Sequence, residues 1–152
     1  MVTIEVDDRS SGDCDAQALE GQAAFLIREL GLHPDTELSL SLVDPAEMSQ
    51  LHEEWMDLPG PTDVLSFPMD ELRVPAPGER PEAGMLGDIV LCPQVAAEQG
   101  ATAGHGQAAE LELLLTHGML HLLGHDHADP EEHAVMFALQ DRLLAAWRSR
   151  GR

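Results

Sequence analysis

His117-Gly118-Met119-Leu120-His121-Leu122-Leu123-Gly124-His125-Asp126-His127 is the run that decides how this 152-residue chain is read. Its histidines at 117, 121 and 127 are spaced i, i+4 and i+10. On a helix, His117 and His121 lie one turn apart on one face. Gly124 can take a left-handed conformation and end that helix. The chain then turns back, and His127 can reach the same point. Three imidazoles converging at one point form the ligand set of a catalytic zinc site, whose fourth position stays open for water. One such ion per chain would sit at the C-terminal end of a helix.

Working outward, Asp129-Pro130-Glu131-Glu132 reads as a helix cap followed by proline at the first helical position. The helix it starts carries Met136, Leu139, Leu143 and Trp147 on its buried side. Upstream, the histidine helix begins near Gln107, after a Gly/Ala-rich stretch that ends at Gly106. Before that, Pro93 opens a short helix that ends near Gly100. Leu86-Gly87-Asp88-Ile89-Val90-Leu91 is a largely apolar strand, the pattern of burial on both faces. The proline-rich segment 75–81 is a surface loop, and Asp63–Phe67 is a short strand stopped by Pro68.

Nearer the start, Leu38, Leu40 and Leu42 alternate with polar residues, as do Val2, Ile4 and Val6, giving two more strands. Leu19, Ala23, Leu26, Ile27 and Leu30 have helical spacing up to Gly31. Asp44-Pro45-Ala46-Glu47 caps a helix with Met48, Leu51, His52 and Trp55 on one face, broken at residues 58–61. Strands and helices mix without strict βαβ alternation. The expectation is one α+β domain over residues 1–152, a small mixed four-stranded sheet packed with helices.

Composition narrows the function classes. The formal net charge is -20, carried by 28 acidic residues against eight arginines and no lysine. That balance disfavours bulk binding to DNA or other nucleic acid through phosphate contacts. No apolar run approaches the ~20 residues of a membrane span, and the first residues do not resemble a signal peptide. Cys14 and Cys92 form no CxxC pair and read as reduced thiols of a cytoplasmic protein.

The histidine run matches the protease pattern H-E-x-x-H-x-x-G-x-x-H except at Gly118, where the protease has its catalytic glutamate. Glycine cannot take a proton from water, so ordinary peptide hydrolysis loses its base. A phosphodiester, which gains mainly from charge neutralisation, needs less help, and three neutral imidazoles leave the full dication charge on the site. Two other readings stay open at this point: histidines that bind nothing, and a structural zinc with His125 or Asp126 as fourth ligand. His125 and Asp126 are also candidates to orient an imidazole. Glu110, two turns above His117 on the same helical face, is either a solvated carboxylate or a proton acceptor near the cleft. Asp88 and the segment Thr62–Pro68 are candidates for polar contacts near the site. His33, His52, His105 and His133 read as surface or locally satisfied histidines.

Three blocks carry a family resemblance: Pro61-Thr62-Asp63-Val64-Leu65-Ser66-Phe67-Pro68, Leu86-Gly87-Asp88-Ile89-Val90, and the histidine run with glycine at 118. The chain resembles the YbeY family of bacterial single-strand-specific metallo-endoribonucleases. The resemblance implies a small mixed sheet with helices, zinc ligands at His117, His121 and His127, and cytoplasmic work on single-stranded RNA. It further implies a role in 16S ribosomal RNA 3′-end maturation and ribosome quality control. Relatives often carry an arginine in a Tyr-Arg-Gly context before the first block. Here Trp55-Met56-Asp57 places Met56 at that position, and position 125 is His where Tyr is frequent. Arg73 or the C-terminal arginines are the candidate replacements. The competing readings are a metal-stabilised ribosome-assembly factor that binds ribosomal proteins, and a metallopeptidase with Glu110 as base.

Overall fold

Leu38, Leu40 and Leu42 are buried, while Ser39 and Ser41 between them are partly exposed, as one covered sheet face requires. In the computed structural model, which describes residues 1–11 and 14–150, they form β2 (Glu37–Leu42). The other strands are β1 (Thr3–Asp8), β3 (Val64–Pro68) and β4 (Met85–Leu91), in sheet order β1-β2-β4-β3. β1, β2 and β4 run parallel, and β3 pairs antiparallel with β4 at the edge. The expected mixed sheet of four strands is what forms. β4 lies inside the sheet and is covered on both faces, with Ile89 and Leu91 in one cluster and Val90 in the other.

The helices are α1 (Ala16–Glu29), α2 (Pro45–Met56), α3 (Pro93–Ala103), α4 (Gln107–Leu122) and α5 (Pro130–Ser149). The main core joins Leu40, Ile89 and Leu91 of the sheet to Leu26 and Ile27 of α1, Leu115 and Met119 of α4, and Met136 and Leu143 of α5. A smaller cluster of Val43, Met48, Leu65, Val90 and Cys92 lies on the other face, under α2. Helix α4 is apolar over most of its circumference because sheet and helices wrap it. It approaches the sheet closely at Gly118. A Cβ there would stand 2.9 Å from Ser66 Oγ, 3.3 Å from Val64 Cγ2 and 3.4 Å from Ile89 Cγ2.

Three local expectations are corrected. Helix α3 does not end near Gly100 but continues to Ala103. A Cβ at Gly100 would lie 2.9 Å from the carbonyl oxygens of both His105 and Gly106, so this glycine lets the α3–α4 turn fold onto the helix. On α2 only Met48 is fully buried, and Trp55 is 61% exposed with its ring edge-on to Phe67. Phe67 belongs to the edge strand, and among the described residues no further strand extends beyond it to cover the indole. Asp44 does start α2, yet its carboxylate accepts from Ser11 N–H and Oγ–H rather than from the helix. Among the described residues, no helix is long and apolar enough to cross a membrane.

Candidate metal centre

Helix α4 ends as its sequence predicts. Gly124 has φ +91°, its N–H donates to His121 O, and the His125 N–H donates back to Leu120 O. This paired closure is the Schellman arrangement, and it needs a left-handed residue between helix and loop. It reverses the chain so that the 125–129 segment returns over the last turn of α4. The Asp126 carboxylate accepts from the His127 N–H at 2.7 Å and pins the backbone of that loop. Asp129 then caps α5 by accepting from Glu132 N–H at 2.8 Å.

The outcome is the predicted convergence. His117, His121 and His127 each offer a ring nitrogen, and these atoms lie within 4.8 Å of one another. Ring centroids are 4.6 Å apart for His117–His121, 5.6 Å for His117–His127 and 5.4 Å for His121–His127. The Nε2 atoms of His117 and His121 stand 3.0 Å apart. Two nitrogens on a tetrahedral ion at ~2.0–2.1 Å lie about 3.3 Å from each other, so the pair is near the spacing that a bound ion sets.

Gln140 of α5 completes the arrangement. It is 3% exposed, and its Oε1 lies 2.8 Å from His117 Nδ1. An amide oxygen only accepts, so His117 carries its proton on Nδ1 and leaves the Nε2 lone pair for a metal. Burial, then repulsion from His117 and His127, pushes the His121 pKa below the usual histidine value. His121 is therefore a free base at neutral pH, the state a metal requires. Phe137, also on α5, packs its ring 5.7 Å from His117 and 6.2 Å from His127. Sequence reading missed both α5 residues. The available signal was Gln140 itself, a polar side chain inside the stripe from Met136 to Leu143.

The other candidates fall elsewhere. Glu110 lies seven residues above His117, roughly 10 Å along the helix. Its Oε1 is 2.5 Å from His105 Nε2, and the Gln99 amide lies between its Oε2 and Asp63 Oδ2, which it bridges at 3.2 Å and 3.0 Å when turned to present its nitrogen to both carboxylates. It ties α3, α4 and the start of β3 together and is not in the histidine group. Asp88 pairs with Phe67 in register and so takes the sheet face opposite Ile89 and α4. In the Thr62–Pro68 segment, Ser66 reaches α4, where its Oγ–H donates to Gly118 O at 3.1 Å. The orienting role expected of His125 or Asp126 goes, for His117, to Gln140. His33 and His52 are held locally by Asp35 N–H and Gly60 O, as expected of them. His133 is exposed, as expected of it, and it stands beside the centre, edge-on to His127 at 6.4 Å. Arg73 is engaged by Glu79 and Arg148 by Glu112, while Arg150 covers the Trp147 ring. Arg152 lies outside the described residues.

Position 118 is where the histidine run departs from the protease pattern. Its Cβ direction leads into Ser66, Val64 and Ile89, away from open space. The family profile described as Endoribonuclease YbeY matches residues 5–148. This chain belongs to the YbeY family. A relative from a Nocardioides species, named Endoribonuclease YbeY, is 55% identical over 98% of this chain and 100% of its own length. Relatives of the same name from Thermobifida fusca and Mycobacterium tuberculosis are 54% and 56% identical, over 97% and 96% of this chain and 95% and 84% of theirs. The solution structure of TM1509 from Thermotoga maritima shares the fold, with TM-score 0.63 and 24% identity over 99% of this chain and 94% of that one.

Proposed function

We propose that this YbeY-family protein is a zinc-dependent endoribonuclease that cleaves single-stranded RNA in the cytoplasm, during maturation of 16S ribosomal RNA and in ribosome quality control. The observation that carries the reading is the pairing of three converging imidazoles with a glycine at 118 that faces the sheet. The donor set of neutral imidazoles suits zinc. When bound, the ion supplies positive charge that polarises a phosphoryl oxygen and lowers the pKa of water.

The chain's own residues decide what that charge can act on. Gln140 holds His117 in the tautomer that offers Nε2. Burial disfavours the protonated form of His121. No carboxylate stands where the protease pattern needs one, and Glu110 is occupied by His105 and Gln99. The centre can therefore neutralise an anion but lacks the base that peptide hydrolysis uses. A phosphodiester is the substrate class that matches this.

The test compares metal-quantified protein, a chelated sample and a folded His121→Ala variant on single-stranded and duplex RNA. Cleavage of the single strand that needs both metal and His121 is expected. Cleavage ends carrying a 2′,3′-cyclic phosphate would assign the attack to the RNA 2′-hydroxyl. One observation favours a second reading, a metal-stabilised ribosome-assembly factor: the net charge of -20 suits basic ribosomal proteins better than RNA. A zinc-loaded protein that binds such proteins and leaves all RNA intact would establish it.

A further inference from the structure

The first turns of α5 carry a feature that metal binding does not explain. His133 is exposed, and its ring stacks on Phe137 with centroids 4.3 Å apart and planes at 17°. Phe137 packs in turn against His117 and His127, and His133 stands edge-on to His127. The rings form a continuous aromatic step from the metal ligands out to solvent. Its outer tread is the exposed face of His133. Among the described residues, no hydrogen bond engages the His133 ring.

The surroundings limit what can bind there. Asp126, Asp129, Glu131 and Glu132 flank the ring in sequence, and Asp126, Glu131 and Glu132 line an open cleft at the start of α5. Such a surface repels phosphate. A ligand must be recognised through a ring face, with its charge met by the metal centre instead. We infer that the outer face of His133 is a stacking platform for one nucleobase of the single-stranded RNA held at the metal centre. This rests on the endoribonuclease reading and adds a substrate-positioning residue to it. Stacking ignores base identity because every base has a π face. A base resting about 3.5 Å above the imidazole leaves its own phosphate one sugar away. The same arrangement accounts for RNA binding by a chain with no lysine, since ring contact replaces phosphate neutralisation.

The experiment uses metal-loaded protein and a short single-stranded RNA containing 2-aminopurine, whose fluorescence is quenched by stacking. Wild type quenches it. His133→Ala loses the quenching and binds at least roughly fivefold more weakly, the lower end of the usual stacking contribution. His133→Phe restores both, because it keeps the ring and discards the ionisable nitrogens. Metal content stays at one per chain in all variants. The inference fails if His133→Ala behaves as wild type, or if His133→Phe is as defective as His133→Ala with metal retained. It also fails if RNA shows no quenching while an arginine-rich peptide binds in a His133-dependent way, which would assign the ring to a basic protein partner. Wild type that binds and quenches without cleaving refutes the nuclease reading alone. Cleavage undiminished in His133→Ala refutes the platform alone.

Discussion

Replacing Gly118 by alanine sets two effects of known size against each other. In an exposed helix interior the change stabilises by about 1 kcal/mol through helix propensity. Here the new methyl would stand 2.9 Å from Ser66 Oγ and within 3.4 Å of Val64 and Ile89. Overpacking of that kind costs typically ~1–3 kcal/mol. Moving Ser66 also strains its hydrogen bond to Gly118 O, a contribution of roughly 1 kcal/mol. Crowding wins, and Gly118→Ala should lower stability by about 1–3 kcal/mol. Urea unfolding of metal-free protein measures this at unchanged m-value. A second substitution localises the cause. Ser66→Ala removes the hydroxyl that meets the methyl, so it should be less damaging in the Gly118→Ala background than in wild type, with a coupling of roughly 0.5 kcal/mol or more. A Gly118→Ala protein as stable as wild type, or more so, would refute the close approach of α4 to the sheet. Gly118→Glu, which restores the protease pattern, should unfold the protein or displace α4 rather than create a peptidase.

Two further predictions concern the metal centre. Gln140→Leu removes the acceptor that fixes the His117 tautomer, so metal affinity should fall by roughly 10–100-fold in a competition titration, while Gln140→Glu, which keeps an acceptor, should retain most of it. In metal-free protein, the lowered His121 pKa means that the unfolded chain binds more protons than the folded one once pH drops below the ordinary histidine range. This contribution to stability is therefore present above ~6.5 and lost as pH falls below it. Unfolding midpoints measured between pH 7.5 and 5.5 should fall more steeply for wild type than for His121→Gln, and equal slopes would contradict the assignment.

Local chemistry made much of this molecule readable in advance. Left-handed geometry at Gly124 and the Asp129 carboxylate need only their neighbours along the chain, and both behave as their residue types dictate. The alternation at Leu38, Leu40 and Leu42 likewise records a covered sheet face. What escaped reading depends on how elements dock. Gln140 meets His117 across 23 positions, through the packing of α5 on α4. Phe137 and His133 reach the centre by the same packing. Glu110 shows the converse failure. Shared helical phase with His117 suggests proximity, yet α3 and the turn that follows it supply Gln99 and His105 at that level of α4 and claim the carboxylate. Gly100 reads as a helix end because a small residue needed for close approach and one needed for termination look alike in sequence. Periodicity assigns Trp55 to a covered face, but the sheet stops at β3.

The proposed function requires that three imidazoles hold one ion and that this ion enable RNA cleavage. Titrating zinc into metal-free protein while following single-turnover cleavage of a single-stranded RNA tests it directly. Cleavage should rise in proportion to added metal and level off at one ion per chain, with no rise in His121→Ala. Full cleavage by the metal-free chain, or none by the fully loaded one, would contradict it.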